Sequence, residues 1–177
     1  DDNDIYVRPY AVDLVQDGID QDCNGVDLPA MVSAGFYHNC AIDTSGDVFC
    51  WGLDRDGSVS NSPIGAFVQI DSGWSHNCAL ERDGSIHCWG SDYYGQVSDA
   101  PSGAFLQLSL GDYHGCALDT AGSVHCWGDD SDGNVSDAPT TGSFSQISSG
   151  NFHSCALDGA GLIECWGDDY YGQVSGT

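Results

Sequence analysis

CAIDTSGDVFCWG, residues 40–52, is a stretch that the chain repeats three more times. The copies read CALERDGSIHCWG from Cys78, CALDTAGSVHCWG from Cys116 and CALDGAGLIECWG from Cys155. The Trp-Gly pairs that end the copies lie 38, 38 and 39 residues apart, at Trp51, Trp89, Trp127 and Trp166. A fixed period of this length is typical of a supersecondary unit that is stacked several times.

Each copy predicts a β-hairpin, because two β-prone runs flank a short turn such as Asp-Thr-Ser-Gly at residues 43–46. Counting outward from the turn centre pairs position 42 with 48 and places Cys40 opposite Cys50. Cβ atoms that face each other on adjacent strands are close to the separation a disulfide needs. The sequence therefore predicts four disulfides within repeats, Cys40–Cys50, Cys78–Cys88, Cys116–Cys126 and Cys155–Cys165.

The composition restricts the class of protein. Nine cysteines in 177 residues, eight of them regularly paired, indicate an oxidising, extracellular or cell-surface location. The 27 acidic and 3 basic residues give a net charge of −24, which disfavours nucleic acid and anionic membranes as partners and favours divalent cations. Five tryptophans and 41% hydrophobic residues favour a folded chain over a disordered one. No apolar run is long enough to predict a membrane span.

Residues 1–27 lack the repeat and are rich in aspartate. The run DGIDQDCNGVD contains the D-x-D-x-N-G start of a calcium loop, in which oxygen ligands alternate and a glycine permits a sharp turn. We therefore predict a Ca²⁺ site, although the twelfth loop position is Met31 where an EF-hand has glutamate. The alternative is a solvated acidic linker. The predicted ligands are Asp17, Asp20, Asp22, Asn24 and Asp27.

The same segment resembles the Asp-rich metal-binding motif of secreted bacterial proteins, through residues 1–4 and 17–25. In that family a cysteine precedes the first Asp pair, and this chain lacks it. Cys23 is consequently the odd cysteine, either free, or bonded to a residue upstream of this sequence, or bonded to another subunit.

From residue 28 onward the repeat predicts an all-β, β-propeller-like domain, with units at 28–62, 63–100, 101–139 and 140–177. Each unit is predicted to hold four short strands, which in the second unit lie at 67–72, 76–80, 85–89 and 96–98. Four short strands in about 40 residues are typical of a propeller blade.

The G-x-x-H-x-C-A-L run, the C-W-G triplet and the G-Q-V-S ending together resemble the regulator-of-chromosome-condensation repeat family, in its short disulfide-bearing bacterial form. The resemblance implies a β-propeller, usually of seven blades in one chain. Four units leave three arrangements open: a small closed ring, a larger ring made by several chains, or a fibre.

Histidines recur two residues before the first cysteine of each copy, at His38, His76, His114 and His153. Zinc is disfavoured because the cysteines are better placed to bond each other and each copy lacks a fourth ligand. We expect the imidazoles to bond backbone groups between strands. The sequence lacks a nucleophile elbow and a phosphate-binding glycine loop, so no enzymatic activity is expected.

The loops that follow each Trp-Gly pair are expected to expose tyrosine and aspartate side chains to solvent. Paired tyrosines beside carboxylates suit contact with a sugar, a protein or another subunit, and equally suit packing between blades. The residues predicted for ligand or subunit contact are Asp92, Tyr93, Tyr94, Asp169, Tyr170 and Tyr171. A glycosylation sequon begins at Asn134, in a loop expected to be exposed.

The function predicted from the sequence is that of a secreted or cell-surface, calcium-binding structural or adhesive protein that assembles with copies of itself into a ring or filament. The alternative is a monomeric extracellular propeller that recognises a protein or glycan through its Asp/Tyr loops. Nucleotide exchange on a nuclear GTPase, which the family name alone suggests, conflicts with the disulfides and with the net charge of −24.

Overall fold

The structure, a computed structural model, describes residues 31–176. This part of the chain forms four antiparallel sheets of three strands, one sheet in each repeat, in the order first–second–third strand. The strands are β1 (Met31–Ala34), β2 (His38–Ile42), β3 (Val48–Gly52), β4 (Phe67–Ser72), β5 (His76–Glu81), β6 (Ile86–Gly90), β7 (Phe105–Leu110), β8 (His114–Asp119), β9 (Val124–Gly128), β10 (Phe144–Ser149), β11 (His153–Asp158) and β12 (Ile163–Gly167).

The predicted hairpin is confirmed in register. Strands β2 and β3 pair Cys40 with Cys50 and Ile42 with Val48, and the other three repeats pair their second and third strands in the same way. All four predicted disulfides are present, with Cα–Cα distances of 4.0–4.1 Å. Gly46 closes the turn at a φ of 87°, a conformation that glycine adopts without steric cost.

The fold class is confirmed, but the predicted fourth strand is wrong. Residues 96–98 form hydrogen-bonded turns, so each repeat has three strands. The Asp92 carboxylate accepts hydrogen bonds from the Val97 and Ser98 amides at 2.9 Å, and Gly95 takes a φ of 77°. This capped turn uses the amide groups that a strand would offer to a neighbour, which overrides the β propensity of the short Gln-Val-Ser run.

The apolar core lies between repeats. At the first junction, Cys40 and Ile42 from repeat 1 pack with Phe67, Ile70 and Trp89 from repeat 2, and all five side chains are buried. The next two junctions are built from the equivalent residues. A three-stranded sheet is too small to bury its own faces, so each repeat depends on its neighbours for stability.

The recurring tryptophan is the central residue of each junction. Its indole Nε1 donates a hydrogen bond to a backbone carbonyl in the turn of the preceding repeat: Trp89 to Ser58 at 3.1 Å, Trp127 to Gln96 at 3.0 Å and Trp166 to Asn134 at 3.0 Å. The turn that stands in place of the predicted fourth strand therefore supplies the acceptor for the next repeat.

Two faces of the array differ from the internal junctions. Trp51 is 49% exposed, whereas its three counterparts are 3–5% exposed, and Val32 is 70% exposed where its counterpart Ile70 is 3% exposed. We call Val32, Ala41 and Trp51 the leading face. On the last repeat, Ile163 is 54% exposed. Leu157 is half-buried, although its counterpart in the first repeat, Ile42, is only 1% exposed. We call Cys155, Leu157 and Ile163 the trailing face.

Candidate functional site

The G-x-x-H motif forms the loop between the first and second strand of each repeat. The loops are joined by backbone hydrogen bonds: Phe36 donates to Gly73 at 3.3 Å, Trp74 to Asp112 at 3.1 Å and Asp112 to Asn151 at 3.0 Å. A continuous ridge of loops results at one end of the sheets. The glycine is required because a Cβ at Gly73 would lie 2.5 Å from the Gly111 carbonyl oxygen.

The loops that follow each Trp-Gly pair lie at the same end. Ser91 donates its amide to the Ser75 carbonyl at 2.9 Å, and Asp129 donates to Tyr113 at 3.0 Å. Both sets of loops carry aromatic and acidic residues. Within the described residues, exposed aromatic and acidic side chains are therefore concentrated at this end of the array.

Two of the motif histidines, His38 and His114, bond a side chain of the next repeat, where backbone partners were expected. The Nε2 atom of His38 lies 2.7 Å from Asn77 Oδ1, and that of His114 lies 2.9 Å from Ser154 Oγ. Each partner follows the motif histidine of the next repeat. At His76 the corresponding position is Gly115, so neither ring nitrogen of His76 has a partner in the structure.

Burial lowers the pKa of two of these histidines. The pKa of His76 falls to about 3, chiefly through burial and then through repulsion from His114 and His38. Burial likewise lowers the pKa of His114 to about 4. Both imidazoles are therefore neutral at physiological pH and serve as packed, uncharged groups.

The depressed histidine pKa values predict an acid-sensitive fold. As the pH falls from 6.5 to 4, the unfolded chain takes up protons at His76 and His114 that the folded chain does not, so stability is lost in that window. We expect a loss of roughly 2–3 kcal/mol for each histidine by pH 4. Urea unfolding at pH 7, 5.5 and 4 measures it. His76→Gln should flatten the dependence relative to the wild type, and equal slopes in the two proteins would contradict the assignment.

Aromatic side chains of the loops contact one another along the ridge. The Phe36 ring stacks on Trp74 with centroids 3.6 Å apart, Trp74 lies 5.9 Å from Tyr113, and Tyr113 lies 6.2 Å from Phe152. Tyr94 joins the row at 5.4 Å from Tyr113. This aromatic row spans all four repeats.

A cavity of about 460 Å³ opens beside the row, where repeats 1, 2 and 3 meet. Its wall combines four aromatic rings with charged and polar groups. The lining residues are Arg55, Asp56, Trp74, Ser75, Ser91, Tyr93, Tyr94, Gln96 and Tyr113.

The structure brings only one of the two predicted tyrosine pairs into this cavity. Tyr93 and Tyr94 line it and are 85% and 51% exposed. Tyr170 and Tyr171 are 81% and 87% exposed and contact each other, with ring centroids 4.7 Å apart. The ligand or subunit contact predicted for these tyrosines stays a prediction.

The two carboxylates predicted beside the tyrosines have a turn-forming role. Asp169 accepts hydrogen bonds from the Val174 and Ser175 amides at 2.8 and 2.9 Å, as Asp92 does in its own loop. These backbone bonds, that of Ser175 first, hold the pKa of Asp169 below its usual value. The ligand or subunit contact predicted for Asp92 and Asp169 stays a prediction.

Sequence reasoning missed Arg55, Asp56, Trp74 and Tyr113 as members of this site. The signal that would have found the two aromatics is the recurrence of an aromatic residue at a middle position of G-x-x-H in every copy. The sequon was misplaced for a related reason: Asn134 is fully buried, because its turn lies under the next repeat and its carbonyl accepts the Trp166 indole.

The predicted calcium ligands Asp17, Asp20, Asp22, Asn24 and Asp27, together with Cys23, lie outside the described residues. Within residues 31–176, no group of three or more His, Cys, Asp or Glu side chains is arranged to hold a metal ion. The described part of the chain also contains no helix that is long and apolar enough to cross a membrane.

Four three-stranded sheets that share their cores across junctions define a propeller-type repeat protein. The family model for the regulator of chromosome condensation (RCC1) repeat matches residues 32–58, 67–96, 105–134 and 144–173. The chain therefore belongs to the RCC1 repeat family. No curated protein sequence matches the chain in a direct comparison.

Several solved structures resemble it. The ectodomain of the Physcomitrella patens receptor kinase CR4 is 26% identical with a TM-score of 0.66, over 80% of this chain and 40% of that one. The CRINKLY WD40 ectodomain of the Arabidopsis thaliana receptor kinase ACR4 is 26% identical with a TM-score of 0.65, over 80% and 51%. Yeast RCC1 (Prp20), in its complex with Kap60, is 17% identical with a TM-score of 0.66, over 89% and 49%. The chain thus spans about half, or less, of the structures it matches.

Proposed function

We propose that the protein is a non-enzymatic, secreted or cell-surface structural protein that associates head to tail with copies of itself. The observation that carries the proposal is the pair of exposed faces on the first and last repeats. The trailing face of one copy binds the leading face of the next, so that the junction between copies repeats the junctions within the chain.

The internal junctions support this complementarity. At each of them, the residues equivalent to Cys155, Leu157 and Ile163 cover the residues equivalent to Val32 and Trp51. The two faces therefore already occur as partners three times in the chain. Because the two faces are different surfaces, the contact is heterologous and generates a ring if it closes and a filament if it does not.

Two observations support an extracellular location: the disulfides and the similarity to receptor ectodomains. Four disulfides in a chain of this size persist in oxidising compartments. Two of the resembling structures are receptor ectodomains.

The proposed role of calcium is to reduce the electrostatic repulsion between copies. Copies that each carry a net charge of −24 repel one another, and the repulsion acts over about 8 Å at physiological ionic strength. We propose that Ca²⁺ bound by Asp17, Asp20, Asp22, Asn24 and Asp27 lowers this repulsion and strengthens the association.

Two single substitutions test the assembly. Trp51→Asp on the leading face and Ile163→Asp on the trailing face should each weaken self-association by about 30-fold or more, since a charge in the centre of an apolar contact costs about 2 kcal/mol or more. Sedimentation velocity of the 177-residue chain, run in Ca²⁺ and then in chelator, measures the effect. Chelator should shift the wild-type chain toward smaller species.

Mixing the two variants gives the sharper outcome. Each retains one intact face, so the mixture should form a dimer and nothing larger, while each variant alone stays monomeric. Ile64→Asp, at a fully exposed position outside both faces, is the matched control and should assemble like the wild type. A wild-type chain that is monomeric in Ca²⁺ at every concentration, or a mixture that fails to dimerise, would overturn the proposal.

A second candidate function is extracellular recognition of a protein or glycan. The observation that favours it is the aromatic row with its adjoining cavity, because aromatic residues with polar neighbours are typical of recognition surfaces. The two candidates use different parts of the molecule and are compatible.

A further inference from the structure

The cavity between repeats 1, 2 and 3 has the dimensions of a small-ligand site. Its volume of about 460 Å³ falls within the range of about 300–1,000 Å³ that is usual for such sites. Repeat 1 contributes Arg55 and Asp56, repeat 2 contributes Trp74, Tyr93 and Tyr94 among others, and repeat 3 contributes Tyr113. The site exists only because three repeats are stacked.

The aromatic wall is held in place by its surroundings. Tyr113 contacts both Trp74 and Tyr94, with ring centroids 5.9 and 5.4 Å away. The buried Gln96 side chain accepts a hydrogen bond from the Tyr94 amide at 2.7 Å, which fixes the loop that carries both tyrosines. A preordered wall reduces the entropy lost when a ligand binds.

The polar groups of the cavity include both donors and acceptors. Arg55 is exposed, and no carboxylate of the described residues lies within ion-pair distance of it. Asp56 is the one described non-glycine residue with positive φ, at 53°, a left-handed conformation that is unfavourable for most side chains.

The charges of the cavity argue for an uncharged ligand. Arg55 and Asp56 bring one positive and one negative charge to the lining, so the cavity itself favours neither an anion nor a cation, and the net charge of −24 further repels an anion. A polyhydroxylated ring fits this lining, because the cavity offers aromatic rings on one side and hydrogen-bond donors and acceptors on the other. Its C–H face packs on Trp74 and the tyrosines, and its hydroxyls meet Arg55 and Asp56.

We infer that this cavity binds a neutral pyranose saccharide. The inference deepens the recognition function given as the second candidate and is independent of the head-to-tail assembly. Trp74 and Tyr113 supply the stacking surface, and Arg55 and Asp56 select the ligand through its hydroxyl groups.

The test is an array of neutral and uronic-acid oligosaccharides probed with the 177-residue chain, followed by calorimetric titration of the strongest neutral binder. Trp74→Ala and Arg55→Ala should each weaken binding by about 10-fold or more. Ile64→Ala is the control, because this residue is fully exposed and lies outside the cavity and outside the leading and trailing faces; the affinity of this variant for the saccharide should equal that of the wild type. Thermal unfolding of each variant confirms that it is folded; the exposed Arg55 is the safer of the two positions.

Three results would overturn the inference: no neutral saccharide bound by the wild type, binding that survives both cavity substitutions, or a response only to uronic-acid oligosaccharides. Sedimentation of the same variants separates this failure from a failure of assembly, since neither Trp74 nor Arg55 belongs to the leading or trailing face.

Discussion

Reduction of the four disulfides is expected to unfold the protein at neutral pH and 25 °C. Each disulfide joins cysteines 10 residues apart, and a loop of that size stabilises a fold by roughly 2–3 kcal/mol, largely by restricting the unfolded chain. Four such loops together contribute about 10 kcal/mol, which is as large as the whole stability of a typical domain. Circular dichroism during thermal unfolding, with and without a phosphine reductant, measures the change.

Single pairs provide the control for this expectation. Removing Cys116 and Cys126 by alanine substitution should lower the free energy of unfolding by more than removing Cys155 and Cys165. Cys116 is fully buried in the third junction, whereas Cys155 is half-buried on the trailing face. A reduced chain whose melting temperature lies within a few degrees of that of the oxidised chain would show that the junctions alone hold the fold.

Trp127→Ala is expected to lower the free energy of unfolding by about 3–5 kcal/mol. The indole is 3% exposed, packs across the junction between repeats 2 and 3, and donates to the Gln96 carbonyl at 3.0 Å. Alanine removes the packing and leaves a buried carbonyl without its donor. The same substitution at Trp51, which is 49% exposed, should cost about 1 kcal/mol or less.

Urea unfolding of both alanine variants measures this difference at fixed protein concentration, low enough that self-association does not contribute. Trp127→Phe separates the two components, because it keeps most of the apolar contact and loses the hydrogen bond, and should cost about 1–2 kcal/mol. Equal losses at Trp51 and Trp127 would mean that the junctions are not where the stability lies.

The hairpin and its disulfides were predictable because they depend on local spacing. The position of the turn sets the register, and the register sets Cys40 opposite Cys50. The capped turn at residues 92–98 was missed because its Gln-Val-Ser run has strand-like composition, while the carboxylate that closes it lies five residues upstream.

The cavity could not be predicted because it is a product of stacking. Arg55, Trp74 and Tyr113 belong to three different repeats, and no spacing within one copy brings them together. The partner of each motif histidine was missed for the same reason: His38 meets Asn77, which is 39 residues away, and the sequence period does not say which groups of adjacent copies face each other.

The bond from each indole to the preceding turn spans 31 or 32 residues and joins the same two positions at every junction. Excising one complete repeat therefore brings together a turn and an indole that fit each other without new chemistry. Loss of only part of a repeat leaves an indole without its acceptor or a carbonyl without its donor. Gene duplication and deletion can thus lengthen or shorten such a protein only in whole units, and the number of repeats is free to vary while the chemistry of the junction stays fixed.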